Sequence, residues 1–303
     1  MTQTFYSNGK LLLTGEYLVL DGAKALALPT KFGQNLIVEE NNTLHIKWKS
    51  YDADGSIWFD DTIPLLAITS TDPLEEESIK NTLITILREA HRLNPNVILN
   101  SNGYTVSTNL SFPKKWGLGT SSTLINNIAQ WFHIDAFMLL KNSFGGSGYD
   151  IACAQNDFPI LYHLEQNKSV VEIVNFNPWF AKDLYFVYLN QKQSSKNAIV
   201  SYKEKKNNLE HEKEVINQIT DRVLNSENAT AFTLALENHE KILSTILHLK
   251  TVKDSLFPDF EGTIKSLGAW GGDFVLVVSK ENPSNYFLEK GYETIVNYTE
   301  MIL

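Results

Sequence analysis

Apolar and polar residues alternate through residues 36–59, in LIVEE, LHIKWKS and SIWF, and this period of two predicts strands of an antiparallel sheet with turns at Asn41-Asn42 and Asp54-Gly55. Earlier, Phe5-Tyr6 and residues 10–13 read as extended segments on either side of Asn8-Gly9, and residues 17–20 carry the apolar pattern on to the Asp21-Gly22 turn. The period changes after the acidic run 72–77. Ile79, Leu83, Ile86, Leu87 and Ala90 form a helical stripe, and Glu75, Glu76 and Glu77 suit the first turn of that helix by charge–dipole attraction. Residues 104–110 alternate again. Leu124, Ile125, Ile128, Ala129 and Phe132 mark a second helix, and residues 158–164 form an apolar strand. Beyond it the pattern predicts a strand from Leu184, a polar loop, and helices over 209–224 and 230–249. A further helix through Ile264 and Leu267 then leads into a buried strand over 274–278.

Composition narrows the classes. A chain of 303 residues suggests two domains, and 43% apolar with 20% charged residues reads as globular and soluble. A formal net charge of −9 argues against a broad nucleic-acid surface, while leaving room for a local basic pocket. No window approaches the length of a membrane span, and the apolar run at Leu11, Leu12 and Leu13 is too short for a secretory signal. Cys153, the single cysteine, excludes an internal disulfide and fits a reducing cytoplasm; its apolar neighbours make it a buried structural thiol. The HEKEV at His211 lacks the second histidine of a zinc-protease motif, and His239 and His248 read as ordinary helix residues.

The stretch WGLGTSSTLINN, residues 116–127, carries the most chemistry. Gly117 and Gly119 remove two Cβ atoms in three residues, which permits positive φ and close approach of an anion to the backbone. Thr120, Ser121, Ser122 and Thr123 follow where the helix begins. A glycine-rich loop running into a helix N-terminus is a phosphate cradle, because the first-turn N–H groups and the dipole both favour negative charge. An ordinary turn with a capped helix is the alternative for this stretch alone.

Three further stretches bear on that alternative: NGKLLLTGEYLVLDG from Asn8, GGSGYDIACA from Gly145, and KSLGAWGGDFVLVV from Lys265. Together with the loop they resemble the GHMP kinases, whose three ordered motifs are an N-terminal GK-x-x-L-x-GE segment, a central GLGSS loop and a C-terminal GAGGG segment. All three occur here in order, and the resemblance covers essentially the whole chain. It implies a two-domain α+β fold. An N-terminal α+β domain, residues 1–170, would hold the nucleotide, and a smaller ferredoxin-like domain, residues 171–303, would supply the acceptor side.

The resemblance also assigns roles, with ATP and Mg²⁺ as cofactors. Loop amides of Gly117, Leu118, Gly119, Thr120, Ser121 and Ser122 would hold the ATP phosphates, and the Ser122 hydroxyl would reach Mg²⁺. Asp150, in the SG-x-D pattern, would be catalytic with Lys10 as its partner. Lys10 sits in an apolar strand and needs an anion nearby on physical grounds too. Glu16 either lines the acceptor pocket or anchors a turn. Lys192, Ser194, Ser195 and Lys196 form a hydroxyl-rich basic loop suited to an acceptor's carboxylate or phosphate, and Gly271 and Gly272 let the third motif pack against the phosphate loop. Trp270 departs from the family's glycine, either narrowing the nucleotide pocket or stacking on a ligand.

One family element is missing: Leu139 stands where many mevalonate kinases have a magnesium-binding glutamate. Either the metal is held by the triphosphate, a serine and Asp150, or catalysis is impaired. GEY, GSGYDIA and GAWGGD all look closest to phosphomevalonate kinases, with mevalonate kinases next. The related decarboxylases usually lack the glycine that Gly119 provides. A non-catalytic ligand sensor of the same fold is the alternative of a different class. The implied partners are a small-molecule acceptor and a second copy in a homodimer, in the cytoplasm, without nucleic acid or membrane.

Overall fold

The computed structural model describes residues 2–74, 78–193, 195–205 and 208–303. They form two compact units, neither a single run of chain. The first takes Met1–Gly9, Phe32–Lys114 and Leu118–Gln155; the second takes Lys10–Lys31, Lys115–Gly117 and Asn156–Leu303. Two strands pass from one unit into the other, β1 (Thr2–Leu12) and the long β2 (Ala25–Glu40), and they pair with each other. Asn8-Gly9 does not interrupt β1, since ladder pairing overrides a local turn signal. Residues 18–21 are a 3-10 turn rather than extended chain.

The first unit contains β3 (His45–Tyr51), β4 (Ile57–Pro64) and β5 (Tyr104–Leu110) beside the later half of β2. β3 and β4 form the expected hairpin. The turn at Asn41-Asn42, however, does not make one, because β5 lies between β2 and β3, antiparallel to the first and parallel to the second. Alternating positions of these strands, Leu36, Val38, Ile46, Trp48 and Val106, face the core. Its helices include α1 (Ile79–Leu93), α2 (Thr120–Phe132), α3 (Ala136–Ser143) and α4 (Tyr149–Ala154), with short helical turns at Leu65–Thr69 and Asn96–Leu99 on either side of α1. α1 buries Leu83, Ile84, Ile86, Leu87 and Ala90, while Ile79 at its start stays exposed. Ser78 caps that helix by accepting from Asn81 N–H. The acids expected to favour its first turn, Glu75, Glu76 and Glu77, lie outside the described residues. α2 packs against α1, α3 and α4 through Ile125, Ile128, Ala129 and Phe132.

The second unit holds β6 (Ile160–Glu165), which pairs with the early half of β2, and β7 (Lys168–Ile173) beside it. A separate antiparallel sheet follows from β8 (Leu184–Tyr188), β9 (Thr263–Ser266), β10 (Phe274–Val278) and β11 (Ile295–Asn297), in the order β11-β8-β10-β9. The first and third strands are central, as in a ferredoxin-like layer. Helices α5 (Ser195–Lys205), α6 (Glu210–Leu224) and α7 (Ala229–Leu247) connect β8 to β9, and α7 lies against both α6 and β9. The helix expected through Ile264 and Leu267 is instead strand β9. Four residues between glycine-containing turns are too few for a stable helix, and the ladder with β10 satisfies their backbone. The content is α+β, with one large mixed sheet and one smaller antiparallel sheet. Among the described residues no helix is long and apolar enough to cross a membrane.

Candidate active site

The N-terminus of α2 is built as the sequence suggests. Gly119 stands at the N-cap with φ 99°, and no side chain caps the helix. First-turn N–H groups have no intrahelical acceptor, so this end presents donors and the positive end of the dipole. Leu118 is fully buried, which leaves its backbone as the only candidate contact; Ser121 is exposed and Thr120 half-buried. Ser122 is buried, and its Oγ donates to the Gly119 carbonyl at 2.9 Å, so its lone pairs remain available to a cation.

A buried polar network fixes the opposite face of α2 within the first unit. Thr123 Oγ1 donates to Gln34 Oε1 at 2.7 Å, Asn127 Nδ2 to the Gln34 carbonyl at 2.9 Å, and Ser7 Oγ to Asn127 Oδ1 at 2.7 Å. Asn126 donates from Nδ2 to Ser7 Oγ at 2.8 Å, and its Oδ1 accepts from Gln155 Nε2 at 2.9 Å. Such a network specifies one orientation of the helix, since each broken bond strands a buried polar group. Gln155 directly follows α4, so the same network anchors the helix that carries Asp150. Asp150 is half-buried in the first turn of α4, after Gly148 with φ 96°. Leu139, by contrast, is wholly buried among the apolar residues of this unit. A carboxylate there would be interior rather than in a cleft.

The second unit gathers the remaining motifs around Asp273. Its backbone pairs with the end of β8, N–H to the Gln191 carbonyl at 2.6 Å and carbonyl from Leu189 N–H at 2.8 Å, with φ 51°. Its Oδ1 accepts from Gln193 N–H at 3.2 Å. A Cβ on Gly117 would come within 2.4 Å of the Asp273 carboxyl carbon, so the carboxylate lies flat on a glycine that itself has φ 71°. Burial holds this carboxyl above its usual range, against the pull of Gln193 N–H and the charges of Lys10 and Lys192. Lys10 is half-buried on β1 and Lys192 is exposed on the polar loop. Two more contacts clamp residues 115–117: Tyr188 Oη donates to the Lys115 carbonyl at 3.0 Å, and Trp116 meets Phe274 edge-on at 5.3 Å. Gly272 has no room for a side chain because Gln191 O lies 2.5 Å from its Cβ position, and the Cβ position of Gly271 is 3.3 Å from Gln193 Nε2. Ser194 is outside the described residues, and of Ser195 and Lys196 only the helical backbone is described.

Trp270 is buried, with its indole N–H unpartnered, while its backbone N–H donates to Tyr17 Oη at 3.2 Å. Glu16 proves to be an interior residue. Lys265 Nζ lies 2.5 Å from Glu16 Oε1 and 3.3 Å from Glu240 Oε1, with His239 beside them. Burial pushes the Glu16 carboxyl up to about 7, only partly opposed by Lys265, and raises Glu240 as well. Burial likewise keeps His239 well below its ordinary range. Its Nε2 accepts from Gly15 N–H at 3.0 Å, so the neutral ring carries its proton on Nδ1. Glu16 therefore lies in the interior of the second unit, in the turn that follows β1. Lys265, Glu240, His239 and Asp273 are the residues that pattern reading did not assign. Only Asp273 had a signal, its place at the end of GAWGGD.

The N-terminus of α2 fits a polyphosphate, with uncapped amides after a glycine of positive φ. For Mg²⁺ the first unit offers one serine hydroxyl and one carboxylate, enough for an ion that keeps most of its waters. Among the described residues no group of three or more His, Cys, Asp or Glu is placed to hold a metal.

No protein-family model matches the chain, and no curated protein matches it in sequence. Solved structures do. A mevalonate kinase of Methanococcus jannaschii aligns over 98% of each chain at 17% identity with a TM-score of 0.68. Streptococcus pneumoniae phosphomevalonate kinase in complex with phosphomevalonate and AMPPNP aligns over 95% of each chain, again at 17% identity and 0.68. Lactococcus lactis galactokinase complexed with galactose aligns over 98% of this chain and 92% of that one, at 12% identity and 0.68. At such identities the likeness is one of architecture: the chain has the two-domain fold of the GHMP kinases.

Proposed function

We propose that the protein is an ATP-dependent phosphotransferase acting on a small anionic acceptor, with 5-phosphomevalonate as the preferred acceptor and mevalonate as the alternative. One observation carries the reading: the uncapped N-terminus of α2 after left-handed Gly119, in the same unit as Asp150, whose helix packs on α2. The GEY, GSGYDIA and GAWGGD segments support the choice of acceptor.

Amides of residues 117–122 bind the triphosphate and orient its terminal group. Asp150 positions the acceptor oxygen and takes its proton where that oxygen is a hydroxyl. Lys10 balances the negative charge on the transferred phosphoryl group. The motif resemblance assigns Lys192, Ser195, Lys196, Gly271 and Gly272 to the acceptor side, where two cations would suit a phosphate and a carboxylate. Ser122 and Asp150 would hold Mg²⁺, which neutralises charge on the phosphate oxygens. With positioning and electrostatics dominating phosphoryl transfer, these few groups suffice.

An ADP-release assay across 5-phosphomevalonate, mevalonate, homoserine and galactose tests the reading. Turnover with 5-phosphomevalonate well above the others is the expected result. Nucleotide binding without turnover on any acceptor favours the second reading, a ligand sensor, for which the burial of Leu139 at the position of a family metal ligand is the specific support.

A further inference from the structure

We propose that the outer edge of β7 is a self-association surface, on which a second copy of this chain lays its own β7 antiparallel across a two-fold axis. The inference is independent of the kinase reading.

β7 ends the strand order β2-β6-β7, and among the described residues no strand lies on its outer side. All of its residues except Val170 are exposed. The hairpin that carries it turns on Gln166 and Asn167, both at positive φ, so the closing pair Glu165 and Lys168 exchange both backbone hydrogen bonds. Every second position then bonds inward to β6. These are Lys168, Val170 and Glu172, and the next in the series, Val174, donates its N–H to the Pro159 carbonyl at 2.9 Å. Ser169, Val171 and Ile173 therefore turn their N–H and C=O groups toward the open edge. Val171 and Ile173 stand opposite Tyr162 and Ile160 of β6, both fully buried, yet are themselves 38% and 60% exposed. The apolar face of the sheet thus continues past its cover.

Such an edge pairs with another strand unless the sequence blocks it, and an isolated charge is a common block. The two charges on β7 instead favour one partner, the same strand of a second copy. Outward hydrogen bonding requires odd positions to meet odd positions, so a two-fold pairing must centre on a single residue. Centred on Val170, it sets Ser169 of each copy against Val171 of the other in hydrogen-bonded pairs. Lys168 then meets Glu172 in the closer, non-hydrogen-bonded pairs, and the axis repeats that ion pair at both ends. Centring on Ser169 or Val171 sets Lys168 or Glu172 against Val170 and matches no charges.

Sedimentation equilibrium of the full chain over about 1–100 µM is the first measurement, because pairing along one short strand belongs in the micromolar range. A reversible dimer is expected. Lys168→Glu and Glu172→Lys each turn two attractions into two repulsions and should each raise the dimer dissociation constant about tenfold or more. An equimolar mixture of the two variants restores opposite charges at every pair and should associate about as tightly as the unmodified protein, which separates lost pairing from lost folding. The second measurement fixes the register. Val170→Cys faces itself across the axis and should form a disulfide-linked dimer on oxidation, whereas Val171→Cys faces Ser169 and should not, with the buried Cys153 present in both. A monomer throughout the concentration range overturns the inference. A dimer that neither charge reversal weakens has its interface elsewhere and overturns it too, as does equal crosslinking of the two cysteine variants.

Discussion

Lys265 Nζ lies 2.5 Å from Glu16 Oε1 in the interior of the second unit, with no solvent exposure at either side chain. Together with Glu240 this makes two carboxyl groups for one ammonium, and His239 offers Glu16 Oε2 only an acceptor nitrogen at 3.3 Å. A proton on Glu16 relieves both problems. Because its folded pKa is raised to about 7 from 4.5, the folded state holds a proton that the unfolded chain has released. Its contribution to stability is therefore fully present below about 4.5 and is lost as pH rises through about 7. Thermal melts between pH 5 and 8 should show stability falling across this window, and Glu16→Gln should flatten the slope.

Lys265→Met separates the charge from its partners. Two buried carboxyl groups would then lack a cation, and loss of one partner from a buried pair costs about 3–5 kcal/mol. The urea midpoint should fall accordingly, and Glu16→Gln in the same chain should recover part of the loss. Equal midpoints for Lys265→Met and the unmodified protein would show that the pair is not the anchor of this turn.

What the sequence made legible here was local. The glycine loop, the stripe of α2 and the stripe of α1 each announce themselves through spacing within a dozen or so residues, and the three motifs in order pointed to the fold. Lys265 shows the limit. Its partner Glu16 lies 249 positions away, and nothing around it marks a buried lysine in a strand. The same applies around β9, where Ile264 and, just past the strand, Leu267 mimic a helical stripe that only the ladder with β10 corrects. The place of β5 between β2 and β3 was hidden for a related reason, since α1 and the two short helices that flank it separate β4 from β5. Asp273 was visible as a motif residue, but its contact with Gly117 depends on a sheet register that no local pattern encodes.

Gly117→Ala tests that contact. The new methyl would sit 2.4 Å from the Asp273 carboxyl carbon and at φ 71°, so steric and backbone strain add. A loss of about 1–3 kcal/mol in stability is expected. Weaker binding of an ATP analogue should accompany it, measured by calorimetry.

Ser122 and Thr123 should separate by phenotype. Thr123→Val removes the donor to Gln34 Oε1 in a buried network and should cost about 1–3 kcal/mol in a urea melt. Ser122→Ala loses only a bond to the Gly119 carbonyl. Its melt should change little, while the Mg²⁺ concentration needed for half-maximal turnover rises. Identical magnesium dependence in Ser122→Ala and the unmodified protein would remove Ser122 from the metal site.

The most direct measurement is turnover of Asp150→Asn beside its affinity for an ATP analogue. Loop amides hold the nucleotide and Asp150 acts on the acceptor, so affinity should be unchanged while kcat falls by about 10²–10⁴. A variant that retains the wild-type kcat, or that loses nucleotide binding in step with turnover, would contradict this division of labour.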